Sequence, residues 1–241
     1  MIFFTNEEEI NKNCHLIPKL RQLYNLCFPD INEREDIHRI LRRVKGLKNE
    51  FDPNTILLLD SLENEVIAGM VVDWYFESQC IHLTYIFVHP ESRNNGIAKR
   101  FLTIELKVLI DQLYSKFGIR IKAVFLESNI PSQTHIDSFD PTLRLKIFKQ
   151  IGIKWIDIPY VQPALDNNKA KVNNLYLLTI PINNDDFNEI NIDNVIDFLS
   201  SLYKSLQIRN PELDFDYKLM VNSLHQQKKI NNCINLKQIN V

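Results

Sequence analysis

Apolar residues recur at helical spacing twice near the start of the chain, at Leu16, Leu20, Leu23, Leu26 and Cys27 and again at Ile37, Ile40, Leu41 and Val44. The spacing predicts two short helices over residues 16–28 and 33–45, the first ended by Pro29 and the second closed by Gly46 in a left-handed conformation. The period then changes. Residues 55–60 and 66–76 are apolar and partly β-branched, and residues 61–65, with turn-forming Asn64, join them as a hairpin. A third strand is predicted over 81–88, then a polar loop, then a helix from Ile97 to Tyr114 with Phe101, Ile104, Val108 and Leu109 on its inner face. A strand over 120–126, a helix over 142–151 closed by Gly152, and strands over 153–158 and 175–180 follow. Strands first in meander and then alternating with helices predict a mixed α/β sheet.

Beyond Ile182 a polar stretch, 183–191, leads to two amphipathic helices over 193–208 and 211–227, the second capped by Asn210 with Pro211 in its first position. The chain therefore divides into a core of residues 1–182 and a C-terminal helical extension of residues 183–241. The extension packs on the core or on a second subunit, which leaves both a monomer and a homodimer open at this level. The connections 127–141 and 159–174 exceed the usual loop length and are candidate walls for a substrate pocket.

Composition removes several classes of function. At 241 residues and 45% hydrophobic the chain buries a sizeable core, and a formal charge of -2 gives no field to hold a polyanion, so nucleic acid is not an expected partner. The cluster Arg39, Arg42, Arg43 and Lys45 reads as a solvated helix face, and Asp73 and Glu77 as solvated charges at a strand end. No apolar run reaches the roughly 18 residues of a membrane span, and the start of the chain, with Glu7, Glu8 and Glu9, is too acidic for a signal peptide. A cytoplasmic protein is expected. Cys14, Cys27, Cys80 and Cys233 form no C-x-x-C pair, and His89 and His135 have no partner at ligand spacing, so no metal is assigned.

Chemistry concentrates in residues 81–101, a strand, a polar loop and a helix start. The first turn of a helix leaves amides unpaired and carries partial positive charge, so an anion there collects several hydrogen bonds. Gly96 allows close approach to the backbone, Arg93 adds a fixed charge, Pro90 stops the strand, and Ala98 keeps the helix free of bulk beside a diphosphate. The run Arg93-Asn94-Asn95-Gly96-Ile97-Ala98, preceded by Val88-His89-Pro90-Glu91 and followed by a long amphipathic helix, resembles the signature of the GNAT N-acetyltransferase superfamily. The element order of residues 1–182 resembles that family too.

The resemblance implies a GNAT-like fold, a mixed and mostly antiparallel sheet flanked by helices, and acyl transfer from acetyl-CoA to a small-molecule or peptide amine by direct attack. It implies that the loop Arg93, Asn94, Asn95, Gly96, Ile97, Ala98 and Lys99 binds the pyrophosphate, while Ile86, Phe87 and Val88 offer backbone groups to pantetheine and the thioester carbonyl. The later family motif is matched only by Gly152; Pro141, Arg144, Phe148 and Ile153 stand at its other defined positions. Phe148 replaces a Tyr that protonates the leaving thiolate, and its ring packs against pantetheine without supplying a proton. The Glu base carried by several members on the signature strand is replaced by Thr84 and Tyr85.

Three residues are left as candidates for proton transfer. His82 shares a face with Thr84, Ile86 and Val88 by strand alternation, and a neutral imidazole accepts a proton. Glu127 is the alternative base and Tyr160 a candidate acid, each with a plain structural reading beside it, a solvated carboxylate and a packed aromatic. Tyr160, Gln162, Glu127 and Asp137 are the expected acceptor contacts. A non-catalytic CoA-binding module is the competing reading, kept open by Phe148.

Overall fold

The computed structural model of the chain describes residues 1–133, 136–182, 188–229 and 231–239; His135 and part of the polar stretch, 183–187, lie outside the described residues. A seven-stranded sheet runs in the order β1-β2-β3-β4-β5-β7-β6. Its strands are Ile2–Phe4 (β1), Asn54–Leu62 (β2), Glu65–Tyr75 (β3), Cys80–Val88 (β4), Ala123–Asn129 (β5), Lys154–Ile156 (β6) and Leu175–Ile180 (β7). Neighbours are antiparallel except β4 and β5, which gives the mixed sheet that the periodicity predicts and the mostly antiparallel pairing that the resemblance implies. The flanking helices are Glu7–Lys12 (α1), Ile17–Cys27 (α2), Ile37–Val44 (α3), Ile97–Arg100 (α4), Leu106–Phe117 (α5), Pro141–Gln150 (α6), Ile192–Ser205 (α7) and Phe215–Gln227 (α8). A two-stranded ribbon of Glu189–Asn191 (β8) and Cys233–Asn235 (β9) sits apart from the main sheet. None of the described helices is long and apolar enough to cross a membrane.

Each face of the sheet is covered. On one, Leu58, Met70, Val72, Leu83 and Leu126 pack against Phe101, Leu109 and Leu113 of the helical run after β4 and against Phe148 of α6. On the other, Phe4, Leu57, Val71 and Phe87 meet Leu20, Tyr24 and Ile40 from α2 and α3. The remaining half of that second face, Phe125, Ile156 and Leu177, is covered by Phe198, Leu199 and Leu202 of α7 and Met220 of α8. Phe198 stacks on Phe125 with centroids 4.2 Å apart. The C-terminal helices thus pack on the chain's own sheet. Gly69 of β3 is required by its neighbour across the sheet, since a Cβ there would lie 2.2 Å from the ring of Phe87.

Several expected details move. Ile104 and Val108 are exposed, at 55% and 40%, because the helix after Gly96 contains one wide π-type turn, Phe101–Glu105. The extra residue rotates the later face, and Leu106, Leu109 and Leu113 become the inner positions. Leu26 is exposed as well, since Leu20, Leu23, Tyr24 and Cys27 already fill the buried stripe of α2. β5 starts at Ala123 and runs on to Asn129, which makes Glu127 and Ser128 strand residues. Pro211–Leu213 forms a separate 3-10 turn, and α8 is capped by Asp214, whose carboxylate accepts from the amides of Asp216 at 3.0 Å and Tyr217 at 3.1 Å. The first of the two C-terminal helices ends at Ser205, and the strand expected over 153–158 is reduced to Lys154–Ile156.

The most consequential shift is in β4. Tyr85 pairs with Val71 and Leu83 with Val72, so Thr84 is an extra residue, a bulge. Alternation reverses there. Ile81 and Leu83 face the same side as Ile86 and Val88, whereas His82 falls on the side of Tyr85 and Phe87. The expectation that His82, Ile86 and Val88 share a face is therefore corrected. The charged residues around the bulge are also not solvated: Arg43 and Asp73 are buried, at 8% and 4% exposure. Arg43 donates to Glu35 Oε1 at 2.5 Å and Oε2 at 2.8 Å and to Thr55 Oγ1 at 2.8 Å, and Thr84 donates to Asp73 Oδ2 at 2.9 Å. Burial alone pulls the Arg43 guanidinium down, but Asp73 and Glu35 outweigh it and hold the group well above its ordinary range.

Candidate active site

Pairing between β4 and β5 stops at Leu83 and Leu126, just before the bulge. Beyond it β4 stays paired to β3 through Val88, and β5 stays paired to β7 through Asn129, so the sheet opens between them. A cavity of about 420 Å³ fills the opening. Ile86, Phe87 and Val88 line one wall, and Leu126, Glu127, Ser128 and Asn129 the other.

At the β4 end lies the polar loop. Pro90–Ser92 makes a short 3-10 turn, after which Asn94 and Gly96 both adopt positive φ, 67° and 74°. Between the amide of Arg93, bonded to Pro90 O at 3.3 Å, and that of Arg100, bonded to Gly96 O at 2.9 Å, no backbone amide from Asn94 to Lys99 has a hydrogen-bond partner among the described residues. These donors, at the head of a helix, are the kind of group that an anion can bond. A Cβ on Gly96 would meet nothing within 4 Å, so the bend is open to a ligand. Arg93, Asn94, Gly96, Ile97, Ala98 and Lys99 border the cavity, and Asn95 does not; its side chain donates to Ser92 O at 3.3 Å and steadies the turn. Arg93 bonds Val88 O at 3.3 Å and Ser138 O at 2.9 Å, and its guanidinium lies 5.1 Å from the Phe139 ring centroid. It ties the loop to the segment after β5 while keeping its charge at the cavity edge.

At the other end the three proton-transfer candidates come together. Glu127 Oε1 accepts from the Tyr160 hydroxyl, and its Oε2 lies 3.4 Å from His82 Nε2. Glu127 borders the cavity, whereas His82 and Tyr160 sit behind it, buried at 3% and 4% exposure. Burial and the adjacent Glu127 carboxylate raise the Tyr160 phenol well above its ordinary range. It stays protonated and donates to Glu127, and its hydroxyl does not reach the cavity. Phe198 of α7 sets its ring 5.4 Å from that of His82, edge to face, and closes the back of the cluster. His82 Nε2 is one of four buried side-chain polar atoms with no hydrogen-bond partner among the described residues.

The sequence match falls on this region: residues 17–133 match the sequence model of the Acetyltransferase (GNAT) family. By this match residues 17–133 belong to the GNAT acetyltransferase family, within a sheet that also uses β1, β6 and β7. No curated protein matches the chain. Among solved structures, the chain is similar to a GNAT-family acetyltransferase from Bacteroides thetaiotaomicron described as putative, at 16% identity and a TM-score of 0.47 over 70% of this chain and 83% of that one. It is also similar to the ribosomal-protein-S18-alanine N-acetyltransferase of Escherichia coli, at 12% identity and a TM-score of 0.44 over 71% and 91% of the two chains. A third, a GNAT acetyltransferase from Elizabethkingia anophelis with acetyl-CoA bound, shares 20% identity at a TM-score of 0.41 over 66% and 88%.

The candidate site includes groups that pattern reading passed over. Asp30 and Glu33, from the segment between α2 and α3, border the cavity beside Glu127 and Asp137. Tyr85, the first residue past the bulge, fixes that segment: its hydroxyl accepts from Glu35 N at 2.8 Å and donates to Glu33 O at 3.2 Å. Asn129 Nδ2 donates to both Glu33 oxygens, at 2.8 and 3.0 Å. Arg144 links Asn129 Oδ1, at 2.9 Å, to Asp137 Oδ2, at 2.5 Å. Burial raises the Glu33 carboxyl above the usual carboxylate range; Asn129 opposes the shift, and Asp30, Asp137 and Glu127 add to it. Of the expected acceptor contacts, Gln162, Glu127 and Asp137 line the cavity, and Tyr160 does not. Phe148 lines it too, with Leu145 behind it in the core.

Proposed function

We propose that this acetyltransferase moves an acetyl group from acetyl-CoA to the amine of a small cationic acceptor, and that Glu127 is the base. The opening between β4 and β5 carries the reading, because one cavity joins the amide cradle to a partly exposed carboxylate. The chain fits the co-substrate: the amides of Asn94 to Lys99 face a diphosphate-sized bend, and the unpaired edges of β4 and β5 suit a pantetheine arm lying between them. Backbone groups of Ile86 to Val88 would steady the thioester oxygen as charge grows on it. Holding both reactants in one cleft supplies much of the rate, and removal of the ammonium proton by Glu127 supplies more.

The acceptor enters from the side of Asp30 and Glu33. Four carboxylates border the cavity, Asp30, Glu33, Glu127 and Asp137, and Arg144 is bonded to only the last of them, so that end favours a cation. His82 and Tyr160 act behind the carboxylate, Tyr160 by donating to one oxygen and leaving the other for the proton.

The test is release of free thiol from acetyl-CoA in the presence of a panel of amines. Turnover is expected to be greatest with compact amines that carry a second positive charge. Thermal stabilisation by acetyl-CoA with no thiol released by any amine would favour a CoA-binding module that does no chemistry.

A further inference from the structure

One step of acetyl transfer has no residue beside it. Once the ammonium has given one proton to Glu127, the amine nitrogen bonds to the thioester carbon, the carbon–sulfur bond breaks with its electron pair moving to sulfur, and the second nitrogen proton leaves to solvent. A thiolate is left. Phe148, where a hydroxyl would serve in the family, offers none.

We propose, resting on the acetyl-CoA reading above, that Ser128 donates a hydrogen bond to the departing sulfur. Ser128 is 1% exposed and borders the cavity, and its Oγ has no hydrogen-bond partner among the described residues. Unpaired buried hydroxyls are uncommon and call for an explanation. Of the four such atoms, Ser78 Oγ, His82 Nε2, Arg100 Nε and Ser128 Oγ, only that of Ser128 belongs to a residue bordering the cavity. Register explains its place. β5 is paired to β7 without irregularity, so Val124, Leu126 and Ser128 share the face of Phe148, while Glu127 shares the face of Phe125 and His82. Glu127 and Ser128 are therefore neighbours on one strand edge left unpaired toward β4, on opposite faces of the sheet, and both border the cavity. An amine attacking from the side of Glu127 expels sulfur toward the side of Ser128.

The hydroxyl keeps its proton. A thiol with a pKa of about 8.5 is far more acidic than an alcohol, so the interaction is a charge-assisted hydrogen bond to sulfur and no alkoxide forms. The thiolate leaves as such or takes a proton from solvent after release. Thioester sulfur is a poor acceptor and thiolate a good one, so the bond strengthens as the reaction proceeds, which is the condition for it to speed the step.

The test is Ser128→Ala, read by melting of the free protein, by calorimetric titration with acetyl-CoA and with CoA, and by ultraviolet absorbance of the bound CoA thiolate against pH. Removing an unpaired donor is expected to leave the melting temperature unchanged or higher. Affinity for acetyl-CoA is expected to change by less than about threefold, while affinity for CoA above its thiol pKa falls about tenfold or more, the scale of a lost hydrogen bond to a charged group. The bound thiol is expected to titrate about one pH unit higher in the variant. Identical CoA affinity and thiol titration in the two proteins would overturn the proposal. A lower melting temperature with an unmoved thiol titration would make Ser128 a packing residue and overturn it as well. Failure of the wild-type protein to bind either acetyl-CoA or CoA would remove the co-substrate reading, and the role of Ser128 with it.

Discussion

Two clusters of charge are buried one strand apart in this sheet, and they are finished differently. Asp73 and His82 face each other in the register of β3 and β4 and belong to different networks. On the Asp73 side, Arg43 meets Glu35 with Nη1 and Nη2, shares Nη2 with Asp73 and bonds Thr55 with Nε, and none of the buried polar atoms of these four residues lacks a partner. On the His82 side, Glu127 accepts from Tyr160, His82 Nε2 stands 3.4 Å away without a hydrogen bond, and the carboxylate borders a cavity. A closed network, in which each buried polar atom has a partner, serves the fold. An unfinished one beside a cavity keeps capacity for a substrate. Thr84 joins the two regions, because the bulge that ends β4–β5 pairing is the residue that bonds Asp73.

The largest effect expected from this contrast is on the closed side. Arg43→Met leaves Asp73 buried without a cation and Glu35 with only the longer contact to Arg39, at 3.5 Å, and is expected to lower stability by about 3–5 kcal/mol, the usual cost of breaking a buried ion pair from one end. Denaturant titration measures it. A loss below about 1 kcal/mol would mean that the network is wet and that the contrast fails.

Next comes the open side. Glu127→Gln keeps a carbonyl oxygen for Tyr160 and nearly the same volume, so stability should hold within about 0.5 kcal/mol. Turnover should fall at least about a hundredfold, which corresponds to about 2.7 kcal/mol in the barrier. Steady-state kinetics beside a melting curve separates the two effects. Wild-type turnover would move the base elsewhere and leave Glu127 as a buried anchor for Tyr160.

Much of this architecture is legible in the chain because it rests on local patterns. Period and turn residues locate the main strands, and Gly96 with its neighbours marks the bend whose amides have no partner among the described residues. What escapes is long-range. Arg43 and Asp73 read as surface charges because nothing local shows that residues thirty positions apart will meet across a helix and a sheet. A single extra residue at Thr84 reverses which side His82 faces, and alternation counted along the sequence assumes no such residue. Asp30 and Glu33 sit in a connection whose position depends on the Tyr85 hydroxyl, and Phe198 lies in a helix whose partner face is set by the fold alone. His82, Glu127 and Tyr160 are each nominated by residue type and strand position, yet their mutual contact is a property of the sheet.

The smallest effect tests whether the unfinished region extends to the acceptor end. Glu33→Gln keeps an oxygen for Asn129 Nδ2 and removes the charge. Burial raises the Glu33 carboxyl, so the fold favours its protonated form. That contribution to stability is fully present below the ordinary carboxylate pKa of about 4.3 and is lost as pH rises through the raised value. At neutral pH the ionised group therefore weakens the free protein, and the variant is expected to melt slightly higher than wild type there, with the gap closing in acid. A cationic acceptor reverses the sign of the argument, because it needs the ionised carboxylate that the empty site disfavours. Wild-type KM for the acceptor should rise as pH falls through the raised pKa. In the variant it should be about fivefold higher at neutral pH, the scale of one partly exposed ion pair, and should lose that pH dependence. A higher melting temperature with an unchanged KM would leave Glu33 as a strained wall residue and shift the cation's approach to Asp30.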